Sequence, residues 1–352
     1  MRLLILNRRC IRHPERGGAE VYAMELARAV VESGGSVEWF SSKPKGLKGE
    51  ELIEGIRFIR RGNQLTTHLY GFWYALRKPK DWIILDVFNG LGFFTFAFKN
   101  SLLLVHQLYR EYWVRELGPL GYIFLPLEEI LLWLYKERPT ITVSPSTQED
   151  LRELGFKNIT IIYNGLDTKP LEEPPEKEKS LTLLYLGRLK STKNPEDAIK
   201  AFLEIKRHIK EAKLYVVGGG PLERYLTEKY SKLEGLEFTG YLEDSQRDSI
   251  LRISHFLLVP SVREGWGQVV LQANAFGTVA IGYRVKGLKD SIREGITGFL
   301  VKDHKEMAQK VIDIWQDKEL YKRLSRNAFE FSKNFSWEET KKEFLKYLKG
   351  IR

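Results

Sequence analysis

The chain of 352 residues contains a single cysteine, Cys10, and three methionines. A lone thiol excludes an internal disulfide and argues against a cysteine-based metal site. No apolar run reaches the roughly 18–20 residues of a membrane span. The start, MRLLILN, runs too soon into charge for a signal peptide and reads as a first strand. Low-complexity tracts are absent, as is a cofactor-lysine motif. No tight Gly-x-Gly-x-x-Gly turn follows the first strand, where the connection runs from Arg8 to Glu20, and this weighs against a nicotinamide oxidoreductase. The default compartment is the cytoplasm. Abundant Lys, Arg and Glu beside scarce Met and Cys also suit a thermophile.

What is present begins with charge. The formal net charge is +10 and the pI about 9.3, enough to bind nucleic acid on electrostatics alone. The basic residues are interleaved with acids, however, and no nucleic-acid recognition motif accompanies them. Most of this charge reads as solvated surface, with room for an anionic partner such as a nucleotide diphosphate or a membrane face. A hydrophobic content of 43% and this length indicate a soluble globular protein of two domains.

Strands and helices alternate, which predicts parallel sheets with helices on both faces. Expected strands in the first half are Leu3–Asn7, Val37–Ser41, Ile56–Arg60, Trp82–Asp86, Leu102–His106, Thr140–Ser144 and Thr160–Tyr163. A linker rich in Pro and charge, LEEPPEKEKS, occupies 171–180. The second half restarts with Leu181–Leu186, Leu214–Val217, Leu236–Thr239, Phe256–Val259, Val279–Gly282 and Phe299–Val301. In open sheets of this kind ligands bind beyond the carboxyl ends of the strands.

The most informative stretch is SVREGWGQVVLQANAFGTVAIGYRVKG, Ser261 to Gly287. Glu264 sits on a turn of Gly265, Trp266 and Gly267, which leads into an apolar run with helical character. Two glycines let a backbone approach a ligand closely. The amides of Gln268 and Val269 open the helix and suit a phosphate. An acid for sugar hydroxyls, an aromatic plate and an anion-binding helix start together point to a sugar carried on a diphosphate. A second segment, LTLLYLGRLKSTKNPEDAIKAF, runs from a strand through Gly187 to two spaced cations, Arg188 and Lys193, and then a helix from Pro195. That is a phosphate-binding layout.

These segments resemble the retaining family-4 glycosyltransferases. In that family a Glu, Gly, aromatic and Gly precede a helix with a second Glu eight positions after the first, and a Gly-Arg-Leu…Lys motif neutralises the departing diphosphate. The first Glu is matched by Glu264 and the cations by Arg188 and Lys193. The second Glu is replaced by Gln272, which can still hydrogen-bond ribose hydroxyls but carries no charge. The resemblance extends in order along most of the chain. Gly17 and Gly18, in ERGGAE, stand where backbone amides approach the donor phosphate, and His106 stands where a histidine contacts the sugar. Asn164-Gly-Leu-Asp167 resembles the end of the first domain. Gly219, in VGGGP, and Tyr241 and Leu242, in TGYL, resemble loops on the nucleotide side.

The resemblance implies a GT-B architecture, with two doubly wound Rossmann-like domains facing each other across a cleft. The first spans 1–170 on the acceptor side, with a last helix, about 337–352, packing back on it. The second, 181–336, binds the nucleotide-sugar. The implied activity is metal-independent, retaining transfer of a sugar from a nucleotide-diphosphate donor, a UDP- or GDP-sugar, to a hydroxyl of a glycan or lipid-linked saccharide. The implied catalytic set is His106, Arg188, Lys193 and Glu264, with no cofactor. Two other readings stand beside it: a non-catalytic nucleotide-sugar-binding or scaffold subunit, for which Gln272 is the best argument, and another enzyme of this architecture such as an epimerase. Between Tyr70 and Tyr135 lie 17 of the 43 aromatic residues. Helix packing on the sheet accounts for most of them, and a surplus would form an acceptor groove or a surface for peripheral contact at the inner face of the membrane.

Overall fold

The structure, a computed structural model, describes residues 1–166 and 171–351. The chain divides into two compact units. Unit 1 comprises Met1–Trp113, Pro119–Gly165 and Phe335–Arg352, and unit 2 comprises Val114–Gly118 and Leu166–Asn334. Asp167, singled out in the sequence, lies outside the described residues.

Among the described residues of unit 1, one sheet contains eight strands. They are β1 (Arg2–Leu6), β2 (Ser36–Ser41), β3 (Glu50–Ile53), β4 (Ile56–Arg60), β5 (Trp82–Phe88), β6 (Ser101–Val105), β7 (Thr140–Thr142) and β8 (Ile159–Ile161). Their order is β3-β4-β2-β1-β5-β6-β7-β8, and every pairing is parallel except that of β3 with β4. From β1 the chain winds outward through β2 to β4, then crosses to the other side of β1 and winds through β5 to β8. The sheet therefore changes winding direction between β1 and β5.

Helix α1 (Gly18–Glu32) follows β1, α2 (Thr67–Leu76) precedes β5, and α3 (Gly121–Leu134) precedes β7. The last helix, Trp337–Gly350, is capped by Ser336, whose side chain accepts from the Glu339 amide. Its Thr340 hydroxyl donates to Tyr163 O at 2.8 Å, and Lys341 pairs with Glu32 at 2.8 Å. Thr340, Phe344 and Leu348, one per turn, are its buried stripe.

Among the described residues of unit 2, six strands form a wholly parallel sheet. They are β9 (Thr182–Leu186), β10 (Lys213–Val217), β11 (Leu236–Gly240), β12 (Phe256–Val259), β13 (Val279–Tyr283) and β14 (Gly298–Val301). The order β11-β10-β9-β12-β13-β14 is that of a Rossmann sheet, with the direction change between β9 and β12. Alternate residues of each central strand enter opposite cores: Leu183 and Leu258 one, Leu184 and Leu257 the other. Burial on both faces is why these strands read as unbroken apolar runs. Helix α4 (Pro195–His208) illustrates how helices cover them. It carries Pro at its first position, Glu196 and Asp197 in its first turn, and Lys206, Arg207 and His208 in its last. Each charge complements the helix dipole.

All thirteen expected strands are present. The additional strand, β3, forms a hairpin with β4 through Glu54 (φ 49°) and Gly55 (φ 76°), the left-handed pair that a two-residue hairpin turn requires. The linker segment is tied to unit 2: Lys177 Nζ, lowered to about 7 by burial, donates to Leu251 O, Phe276 O and Thr278 Oγ1 at 2.7–3.1 Å.

Buried titratable groups set the acid response. Burial lowers His68, His106 and His255 to about 4. Burial also raises Asp86 to about 6, although it accepts from Phe93 N, Thr95 Oγ1 and Tyr135 Oη. Between these folded values and the usual 6.5, unfolded imidazoles are charged while folded ones are neutral, so stability falls as pH drops. Asp86 acts oppositely, because it keeps its proton when folded and releases it on unfolding. Three imidazoles against one carboxyl predict a net uptake of about two protons on unfolding near pH 5. Denaturant midpoints measured from pH 6.5 down to 4 should fall steadily; a flat profile would contradict these burial assignments.

Candidate functional site

In unit 2 the residues singled out by sequence gather where the sheet changes winding direction. Gly187 and Arg188 leave the carboxyl end of β9, and Glu264 follows β12, its neighbour in the sheet. Backbone hydrogen bonds then tie five loops along this edge. Gly187 N donates to Val217 O at 3.0 Å, Leu189 N to Gly219 O at 3.0 Å, and Gly218 N to Gly240 O at 2.8 Å. Val262 N donates to Thr192 O and Glu264 N to Lys286 O, both at 3.1 Å. The glycine run beside Gly219 is a packing requirement, since a Cβ on Gly218 would lie 2.1 Å from Gly187 O.

The electrostatic centre is an ion pair. Lys193 Nζ lies 2.5 Å from Glu264 Oε1, with both side chains largely but not fully buried. Asn194 braces the same two loops by donating from Nδ2 to Pro260 O at 3.0 Å. Lys190 adds a third cation to Arg188 and Lys193. Burial lowers its pKa, the charges of Lys193 and Arg188 push it the same way, and its pair with Glu116 opposes them. Cations thus cluster here beside one carboxylate, which makes this edge electropositive.

Helix α5 (Gln268–Asn274) starts directly after Gly267, whose φ of 87° is left-handed. Gln268 and Val269 form its first turn, and Gln272 lies one turn further on and is half-buried. Of the two aromatic residues singled out here, Trp266 is only 4% exposed, whereas Tyr241, just beyond β11, is 68% exposed. Leu242 instead packs against the core beneath. Gly265 is partly exposed on the Glu264 turn.

In unit 1 the selected residues lie at the carboxyl edge of the first sheet. His106 directly follows β6, and its ring meets that of Tyr22 on α1 edge-on, centroids 5.2 Å apart. Its carbonyl accepts from Thr147 Oγ1 at 3.1 Å, and its Nε2 has no hydrogen-bond partner among the described residues. Lowered to about 4 by burial, the ring is neutral at pH 7 and can donate or accept one hydrogen bond. Gly18 opens α1 with nothing within 4 Å of a hypothetical Cβ. The amide of Gly17, expected to face a phosphate, instead donates to Glu20 Oε2 at 2.7 Å. Glu20 stands three residues on, the spacing at which an acid caps its own helix start.

Several residues were missed in the sequence. Lys190 lies within the quoted cation segment, where spacing alone does not rank three cations. Gly287 (φ 83°) supports the Glu264 turn so closely that a Cβ there would lie 2.1 Å from Glu264 O. Glu128 on α3 is buried and accepts from Tyr109 N, Arg110 N and Trp113 Nε1 at 2.7–3.1 Å, holding the segment after His106. An acid within the apolar run YIFLPLEEILLWLY was its signal.

Residues 16–170 match the Glycosyltransferase Family 4 family and residues 168–331 match Glycosyl transferases group 1. The chain is 30% identical to D-inositol 3-phosphate glycosyltransferase of Corynebacterium glutamicum, covering 93% of this chain and 90% of that protein. It is 29% identical to glycogen synthase of Mycobacterium tuberculosis, covering 92% and 88%. Among solved structures it is similar to sucrose-phosphate synthase from Thermosynechococcus elongatus, with a TM-score of 0.79 at 18% identity over 99% of this chain and 98% of that one. It is also similar to Anabaena HepE in complex with UDP and glucose, with a TM-score of 0.72 at 15% identity over 99% of each chain.

Gly287→Ala tests the support of the Glu264 turn. Gly295, also left-handed (φ 72°), has nothing within 4 Å of a hypothetical Cβ. Gly295→Ala should therefore cost only the backbone conformation, about 1–2 kcal/mol. Gly287→Ala should cost at least about 1 kcal/mol more, because backbone atoms must move. Equal losses in chemical denaturation would show that Gly287 does not hold the turn.

Proposed function

The chain belongs to the family-4 glycosyltransferases, and on that premise we propose that it transfers a sugar, with retention at the anomeric carbon, from a nucleotide-diphosphate donor to a hydroxyl acceptor. One observation carries this reading: Arg188 and Lys193, from the loop after β9, and Glu264, from the loop after β12, come to a single edge where unit 2 changes winding direction. Loops at such a switch point diverge and leave space for a ligand.

The proposed resting state is the Lys193–Glu264 pair. A bound diphosphate would compete for Lys193, and Glu264 would turn to the sugar hydroxyls. Arg188 and Lys193 would then stabilise the charge growing on the leaving diphosphate, a role that needs no metal ion. Tyr241 is the exposed ring available for the nucleotide base, in place of the buried Trp266. Unit 1 is assigned the acceptor, a glycan or a lipid-linked saccharide, and neutral His106 a hydrogen bond to the transferred sugar. The donor is proposed to be a UDP- or GDP-sugar; HepE, of similar fold, is described with UDP and glucose. The proposed place of action is the cytoplasm, at the inner face of the membrane.

Removing either cation checks the assignment. Arg188→Ala or Lys193→Ala should lower turnover of the preferred nucleotide-sugar by about two to three powers of ten. A chelator should leave wild-type turnover unchanged. The fold should survive, since both residues lie in loops. Near-wild-type transfer by the double variant would remove the phosphate role.

Gln272 offers a graded test. A neutral amide holds ribose hydroxyls less tightly than a carboxylate, by about 1 kcal/mol. Gln272→Glu should therefore strengthen nucleotide binding several-fold in calorimetric titration. Weaker binding by the Glu variant would mean that the pocket is built around a neutral side chain.

A further inference from the structure

We infer that unit 1 docks by the outer faces of α2 and α3 onto the interface of a phospholipid bilayer bearing anionic headgroups. The inference stands on unit 1 alone, and its link to a lipid-borne acceptor rests on the transferase reading above.

Strand register places both helices on one side of the sheet. Leu4 pairs with Ile84 and Leu6 with Asp86, while Asp86 pairs with Leu103 and Phe88 with Val105. These residues therefore share one face. Ala75 of α2 packs with Leu4, Leu6 and Ile84, and Leu132 of α3 packs with Phe88, Leu103 and Val105. The two helices lie on the same layer, and their outer faces belong to the same side of unit 1.

Those outer faces are apolar. Tyr70, Trp73 and Leu76 on α2, and Ile123, Ile130 and Trp133 on α3, are each more than half exposed. On α3 the usual pattern is largely reversed, because the acid Glu128 is buried beside Leu132 and Gly121 while most of the aliphatic and aromatic residues face outward. A soluble helix orients the other way, and exposed apolar surface on two helices of one layer marks an interaction site.

The geometry favours lying on a membrane over crossing it. Within residues 111–134 a window of 18 residues, long and apolar enough to span, has a mean hydropathy of 1.4, and 17% of it is buried. Yet this stretch is interrupted by a 3-10 turn at Gly118–Leu120, and it is anchored to unit 1 through Leu132 and the three bonds to Glu128. An anchored helix with Trp and Tyr on its free face suits the interfacial depth of a bilayer.

Charge selects the headgroup. Arg77 and Lys80 follow α2, Lys99 precedes β6, and all three are exposed. After α3, Lys136 Nζ lies over the Trp133 ring, 4.0 Å from its centre, which puts a cation beside the exposed indole. Of the nearby acids, Asp81 pairs with Arg2 and Glu129 with Arg110, and Glu137 is exposed. The cations outnumber the acid at this rim and complement anionic lipid.

Flotation of the full-length protein with substrate-free vesicles tests this. Binding to phosphatidylcholine vesicles is expected, with tighter binding when phosphatidylglycerol is included. The combined variant Trp73→Ser, Ile123→Ser, Ile130→Ser and Trp133→Ser should bind at least about tenfold more weakly while its circular dichroism is retained. Arg77→Gln, Lys80→Gln and Lys99→Gln together should erase the preference for phosphatidylglycerol. The inference is overturned if wild type binds neither vesicle, if the serine variant binds equally, or if the glutamine variant keeps the preference. It is also overturned if light scattering finds a wild-type dimer that the serine changes dissociate, since the face would then belong to a second copy. Because the vesicles contain no substrate, either result is independent of the Arg188 and Lys193 turnover test.

Discussion

The parallel pairing of β9 with β12 is the constraint on which the unit 2 site depends. These strands are some 70 residues apart in the chain, and helices and loops between them pack on both sheet faces. Once they lie side by side, the segments leaving their carboxyl ends must start next to each other and diverge. That shared starting point brings Lys193 to Glu264, and the backbone bond from Val262 to Thr192 fixes the approach. Substitutions in the core between β9 and β12 would therefore disturb the charges at the edge without touching them.

The Lys193–Glu264 pair balances two demands. Alone in a partly dry edge, either charge would be costly, and together they satisfy each other. The same proximity means that an incoming anion meets a cation already engaged. Arg188 and Lys190 stand beside the pair, and Lys190 is itself engaged by Glu116, so that added cation comes with its own counter-charge to displace. A diphosphate with attached hydroxyls has use for both partners of the opened pair, whereas a simple phosphate has use for one.

The legible parts of the sequence were those carried by the backbone. Strands buried on both faces must be apolar at every position, so runs such as LTLLYL announced the second sheet, and glycines such as Gly187 and Gly267 marked the turns where it is left. β3 was hidden because an edge strand is free to be charged, and Glu50 and Glu51 made it look like a loop. Side-chain direction was equally hidden. Gly-Trp-Gly signals close backbone approach, but only the tertiary structure turns Trp266 inward and leaves Tyr241 outward. The capping of Gly17 is carried by Glu20 three residues on, a spacing that the adjacent glycine pair obscures.

The two helices on the outer layer of unit 1 show where composition misleads and why. An aromatic surplus between Tyr70 and Tyr135 is compatible with an ordinary core, and part of it is one: Phe88, Phe93 and Tyr135 are buried around Asp86. What distinguishes the remainder is the direction set by a single buried acid. Glu128 must face inward to meet three N–H donors, and its position on α3 commits Ile123, Ile130 and Trp133 to the opposite side. The apolar exposure of this layer is thus a consequence of how the segment after His106 is held. Replacing Glu128 with an apolar residue would remove the reason for that orientation, so the order around His106 and the outward apolar face are physically coupled.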